Sequence, residues 1–135
     1  MYKSFWVLLL VILTGPVVMA QDNTDITGKW YGAYKLYYGE KQRIIVELEK
    51  TGGTYKGHML LPDLSGDESF DLETVFYRKD TLLLSIEEVR FACFVGGDAS
   101  NNQFKGVTGF GADKSPVDLG RKEITKADLY KRPQE

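Results

Sequence analysis

From Gly28 to Arg121 the chain alternates apolar and polar side chains in short runs, each cut by turn residues. No other feature limits the fold as much. A period of two puts alternate residues on opposite faces of a strand, so each run can bury only one face and the runs must share a core. In the first run Trp30, Tyr34, Leu36 and Tyr38 share a parity, and Gly32 leaves room between them for a close neighbour. After Gly39-Glu40-Lys41, Arg43–Lys50 sets Ile44, Val46 and Leu48 against Glu47 and Glu49. Thr51-Gly52-Gly53 is a hairpin signal, because paired glycines accept the positive φ that tight turns demand. Thr54–Leu61 then carries Tyr55, Gly57, Met59 and Leu61 on one face and Lys56 and His58 on the other.

Pro62–Ser69 is a polar, acidic break. Phe70–Arg78 resumes strand character, with a parity slip around Leu72 and Val75 that predicts a bulge. Lys79-Asp80 turns the chain into Thr81–Glu87, and Arg90–Val95, Gln103–Phe110 and Ser115–Arg121 complete the series. The pattern predicts an all-β domain of about eight short antiparallel strands in sequence order, with no helix between Gln21 and Arg121. Closing such a meander into an up-and-down barrel removes its two exposed edges. An open sandwich would need longer crossovers than these turns supply.

The ends read differently. Met1–Ala20 has the parts of a cleaved export signal: Lys3, the apolar run Phe5–Leu13, the breaker Gly15-Pro16, and Val18 and Ala20 at the −3 and −1 positions. The apolar run is about half the ~20 residues a membrane span needs, and no Cys follows the cut, so a stable membrane anchor is not expected. The expected organisation is a signal over residues 1–20, a barrel over 21–121 and a charged, linker-like tail over 122–135. The protein is therefore expected to be exported, to the periplasm or beyond. With 17 basic and 19 acidic residues and no basic cluster, the chain does not suit nucleic acid as a partner.

Catalytic constellations are not found in the sequence. Gly-x-Ser-x-Gly is missing, and Leu64-Ser65-Gly66 is only a loop fragment. His58 is the single histidine, on the polar face of its strand, and Cys93 is the single cysteine, in the apolar run Phe91–Val95. One His and one Cys do not supply a zinc site, which takes at least three such ligands. The carboxylates Asp63, Asp67, Glu68 and Asp71 match no calcium-loop spacing. No cofactor, metal or catalysis is expected of the chain alone. An eight-stranded barrel is just wide enough to be filled by its own side chains or to hold one small ligand. Tyr34, Tyr38, Tyr55, Met59, Phe91, Phe104 and Phe110 can line such a pocket or plug it. Their bulk on short strands points to a mostly filled interior, with any pocket shallow and near the rim.

Gly28-Lys29-Trp30 resembles the Gly-x-Trp signature of the lipocalins and related barrels. That resemblance implies structural roles for Gly28 and Trp30, and for Arg121 as the basic residue that packs over the Trp. A closer resemblance spans nearly the whole mature chain. Gly28-x-Trp30-x-Gly32, Gly57 before Leu60-Leu61-Pro62-Asp63, Thr81–Leu84, Lys105-Gly106-Val107-Thr108-Gly109 and Leu119-Gly120-Arg121 follow one order. That order resembles the small lipocalin-like β-barrel module found N-terminal to secreted bacterial α/β-hydrolases and serine β-lactamase-like hydrolases. Lys131-Arg132-Pro133-Gln134-Glu135 resembles the opening of the linker that leads to their catalytic domain. Leu64 stands where those modules tend to have Gln, and the Trp and Gln usual near Thr108–Gly111 are not present. The resemblance implies a non-catalytic accessory module whose partner is a hydrolase catalytic domain, in cis or from a split or truncated gene. The alternative is a free-standing binder of a small apolar ligand.

Overall fold

The computed structural model describes residues 24–36, 38–98 and 101–130; the expected signal over 1–20 and the tail beyond Tyr130 lie outside them. Nine antiparallel strands form one curled, barrel-like sheet: β1 Gly28–Lys35, β2 Lys41–Thr51, β3 Thr54–Leu60, β4 Ser69–Asp71, β5 Thr74–Arg78, β6 Thr81–Ile86, β7 Phe91–Asp98, β8 Gln103–Phe110 and β9 Asp113–Gly120. Every strand pairs with its sequence neighbours except β4 with β5, and the last strand returns to the first, giving the order β4-β3-β2-β1-β9-β8-β7-β6-β5. The fold is the up-and-down, all-β arrangement that the alternation predicts.

The difference in strand count comes from the parity slip at Phe70–Arg78. Strands β4 and β5 are two halves of one run that changes partners at a two-residue corner. There the Leu72 N–H donates to the Gly57 carbonyl of β3, and the Glu73 N–H donates to the Ser85 carbonyl of β6, both at 2.9 Å. The corner thus ties together the two ends of the sheet. Below it β3 and β5 face each other through side chains, with Tyr55 and Tyr77 in edge contact at 6.2 Å between centroids.

The turns follow from local chemistry. Gly52 and Gly53 both have positive φ, as do Lys79 and Asp80, the conformation that lets a two-residue hairpin match strand twist. At Gly32 the requirement is closeness. A Cβ there would lie 2.7 Å from Leu119 Cδ2 and 2.8 Å from the Asp118 carbonyl oxygen, so only glycine lets β9 close onto β1.

Inside, the even residues of β1 and β2 and the alternating residues of β6–β9 form a continuous core containing Trp30, Ile44, Val46, Leu48, Met59, Leu82, Leu84, Phe91, Cys93, Phe104 and Leu119. Two short helices depart from the expected all-strand course. Helix α1 (Pro62–Ser65) replaces part of the acidic break; Pro at its start has the right φ and no N–H to lose. Helix α2 (Lys126–Leu129) lies in what reads from sequence as a linker-like tail. Thr125 and Asp128 cap it reciprocally, and Leu129 is buried. Among the described residues no helix is long and apolar enough to cross a membrane.

Candidate functional site

The two ends of the barrel are built differently. At the end where the chain enters, Trp30 is fully buried and donates its indole N–H to the Ile26 carbonyl at 2.9 Å. Phe104 packs against it at 4.8 Å between centroids. Arg121 lies 3.8 Å above the indole ring and donates to the Lys29 carbonyl at 3.0 Å. Burial lowers the Arg121 pKa and nearby Asp25 opposes that shift. Gly28 has φ +100, and a Cβ there would come within 3.3 Å of Arg121 Nη1. Gly28, Trp30 and Arg121 thus make one closed floor.

At the rim, where β1 passes to β2, Tyr34 and Gln42 stand directly opposite each other. Each is only 3% exposed. The Tyr34 hydroxyl and the Gln42 carbonyl oxygen are buried without a hydrogen-bond partner. Burial pushes the Tyr34 phenol up to about 12, with nearby Tyr38 adding to the shift. Beside Tyr34, Leu36, Gly109 and Phe110 line a small cavity of about 150 Å³, and Phe110 leans on Phe91 at 5.5 Å.

The aromatic candidates therefore separate. Met59, Phe91 and Phe104 are buried and plug the core, whereas Tyr34 and Phe110 border the rim cavity. Tyr55 is half-buried and packs on the core from the β3 side. Tyr38 does not share the interior. Strand β1 ends at Lys35, a turn closes between Leu36 and Glu40, and Tyr38 is 58% exposed; parity stops counting where the strand stops.

Outside the rim, Arg43 holds three pieces of chain together. It pairs with Asp63 of α1 through its side chain at 2.8 Å, its backbone N–H donates to the same carboxylate at 3.0 Å, and Nη1 reaches the Ile124 carbonyl at 3.4 Å. These bonds lower the Asp63 pKa, the guanidinium contact contributing most.

His58 faces Glu47 across β2–β3 at 3.3 Å, partly exposed. Cys93 is buried, and burial pushes its thiol up to about 11 against a lowering contact from Thr108, which leaves it a poor nucleophile. Among the described residues no group of three or more His, Cys, Asp or Glu is arranged to hold a metal ion.

One surface feature escapes the sequence reading. Phe76, Leu83, Phe94, Val107 and Pro116 are successive register partners across β5 to β9, so they form a continuous apolar row on the outer face. Phe76 is 52% exposed and Phe94 55%. The row above it is small, with Ser85, Ala92 and Gly109 in register. The signal lay in runs where both parities are apolar, Leu82-Leu83-Leu84 and Cys93-Phe94-Val95. Compared with protein-family models and with curated proteins, the chain matches none.

Proposed function

We propose that this protein is a non-catalytic, exported accessory module that docks on the catalytic domain of a hydrolase of the kind whose N-terminal module it resembles. The observation that carries the reading is the apolar outer row. A soluble domain gains nothing by exposing two phenylalanines and a valine in one cross-strand line, and contiguous apolar patches of this sort mark interaction surfaces. Aromatic side chains are enriched at the centres of such surfaces. The flanking pair of small residues Ser85 and Ala92 lets a partner approach the sheet closely. The plugged interior supports the same reading, since Met59, Phe91 and Phe104 occupy the volume a long apolar ligand would need.

The test begins with the coding sequence beyond Glu135 and the adjoining genes, sought for a domain bearing Gly-x-Ser-x-Gly. That polypeptide is expected to co-elute with the protein. The double variant Phe76→Ser, Phe94→Ser, whose altered side chains face outward, is expected to lose it while keeping its own fold. Co-elution undiminished by the double variant, or no such domain beside the gene, overturns the proposal. On chromogenic esters and β-lactams the protein alone is expected to show buffer rates, because His58 pairs with the Glu47 carboxylate rather than with a nucleophile and the thiol is buried; turnover abolished by His58→Ala would make it an enzyme instead.

A further inference from the structure

We infer, resting on the docking role proposed above, that the outer face of β5–β9 takes a protein surface with an apolar centre and carboxylates along one margin. Those carboxylates pair with Arg78 and Lys105, and they fix which way round the partner sits.

The face is asymmetric about its apolar row, and the asymmetry follows from register. Side chains on one face of a strand recur every second residue, so the flanking rows lie two residues away on each strand. On one side the row runs Arg78, Thr81, Gly96, Lys105 and Asp118, each the register partner of the next. On the other it runs Thr74, Ser85, Ala92, Gly109 and Lys114. There the only cation is already engaged: Gly109 is buried, and Lys114 donates to its carbonyl at 3.2 Å.

The first margin is different. Arg78 and Lys105 are exposed, and among the described residues neither forms an ion pair. Asp118, the acid of this row, stands opposite Lys105 in register without pairing to it. Between the two cations lie only Thr81 and Gly96, so no long side chain stands between them. Three strand spacings separate them, roughly 14 Å. The protein as a whole carries two excess negative charges, so this margin runs against the overall balance.

A neutral apolar partner seated on the row would strip water from both cations and return nothing. A partner with carboxylates on that side returns charge-assisted bonds and is steered in by them. Turned the other way round, the same partner would set its carboxylates over Ser85 and Ala92 and leave the cations unpaired.

The test uses the Gly-x-Ser-x-Gly polypeptide sought above as the probe, with association and dissociation rates as the readout at about 50 and about 300 mM salt. At the lower salt Arg78→Glu is expected to weaken the complex about tenfold, and Arg78→Glu with Lys105→Glu about fiftyfold, mostly through slower association. The higher salt is expected to slow wild-type association and narrow these gaps. Lys29→Glu, which makes the same change in net charge on β1 outside the face, is expected to change affinity less than about twofold. Thermal melts report that each variant is folded. Loss of the complex in Phe76→Ser, Phe94→Ser while both charge reversals are silent overturns this inference and leaves the docking role standing. A complex indifferent to the phenylalanines, or no such polypeptide, overturns the docking role and this inference with it. Equal weakening by Lys29→Glu assigns the effect to overall charge and overturns the inference. Capture on vesicles of anionic phospholipid, abolished by the phenylalanine variant, gives the face to a membrane and overturns both.

Discussion

The floor and the rim of this barrel use the same materials to opposite ends. Each joins β1 to its neighbours through an aromatic residue with a polar handle, Trp30 below and Tyr34 above. At the floor the handle is bonded, the ring packs at a tilt against Phe104, and Arg121 lies over its outer face. At the rim the handle is buried and unbonded, next to an equally unbonded Gln42. An unmet hydrogen bond in the interior costs about 1–3 kcal/mol, so the rim is less stable than it would be with leucine and phenylalanine in place. The floor gives the domain its stability, and the rim gives some of it up.

The largest effect should come from breaking the floor. Trp30→Ala removes a fully buried ring, and the loss expected is about 3–5 kcal/mol. Domains of this kind typically have about 5–15 kcal/mol in total, so the variant should be partly unfolded or nearly so in denaturant melts. A loss under about 1 kcal/mol would mean that the floor is not where stability resides. Next comes the closure of the sheet. Gly32→Ala places a methyl 2.8 Å from the Asp118 carbonyl, and backbone cannot step aside as a side chain can. Overpacking of this type costs about 1–3 kcal/mol, and amide exchange should rise in β9 before it rises in β3. Uniform exchange across the sheet would argue against a local opening of the β1–β9 seam.

A smaller effect is expected from the clip outside the rim. Asp63→Asn keeps the shape of the side chain but removes the charge that Arg43 binds through side chain and backbone. Charge-assisted bonds of this sort contribute about 1.5–3 kcal/mol when well shielded, and less here because Arg43 is partly exposed. The direction with pH is fixed by linkage. The folded state holds the Asp63 pKa below its ordinary value of 3.8, so the folded state binds the proton less readily than the unfolded chain does. The contribution is complete above that value and disappears as pH falls through the folded pKa. Wild type and Asp63→Asn should therefore differ at neutral pH and converge in acid; a gap that persists at pH 2 would assign the effect to packing.

How much of this was legible depends on whether it was local. The alternation in Arg43–Lys50 and Gln103–Phe110 places their inward residues correctly, because period two is a property of the strand itself. The slip between Leu72 and Val75 marked a real irregularity. Its form, a corner at Leu72-Glu73 bonded to β3 on one side and β6 on the other, depends on partners distant in the chain. The one-turn helices were not legible by periodicity, which needs more than four residues, although Thr125 and Asp128 stood at capping-box spacing all along. The rim pair and the outer row were hidden for a common reason. Gln42 reads as the flank of a turn until register sets it opposite Tyr34, and Phe94 reads as core until register lines it up with Leu83 and Val107.

The smallest expected effect is the most discriminating between the two ends. Tyr34→Phe should change stability by less than about 0.5 kcal/mol, or increase it slightly, although the residue is 3% exposed. A buried tyrosine with a bonded hydroxyl usually loses about 1 kcal/mol in this exchange, since the bond goes and its partner is left unpaired. Here there is no bond to lose, and the oxygen that is removed has been stripped of water for no return. Ring, packing and rotamer are all retained, so cavity effects do not enter. Removing a bonded, half-buried polar function at the floor, by Arg121→Met, should instead cost about 1–2 kcal/mol, chiefly through the lost cation contact over Trp30. Both are single substitutions read by the same urea melts. A loss of 1 kcal/mol or more in Tyr34→Phe would show that its hydroxyl is bonded in solution, to water or protein, and the contrast between rim and floor would vanish.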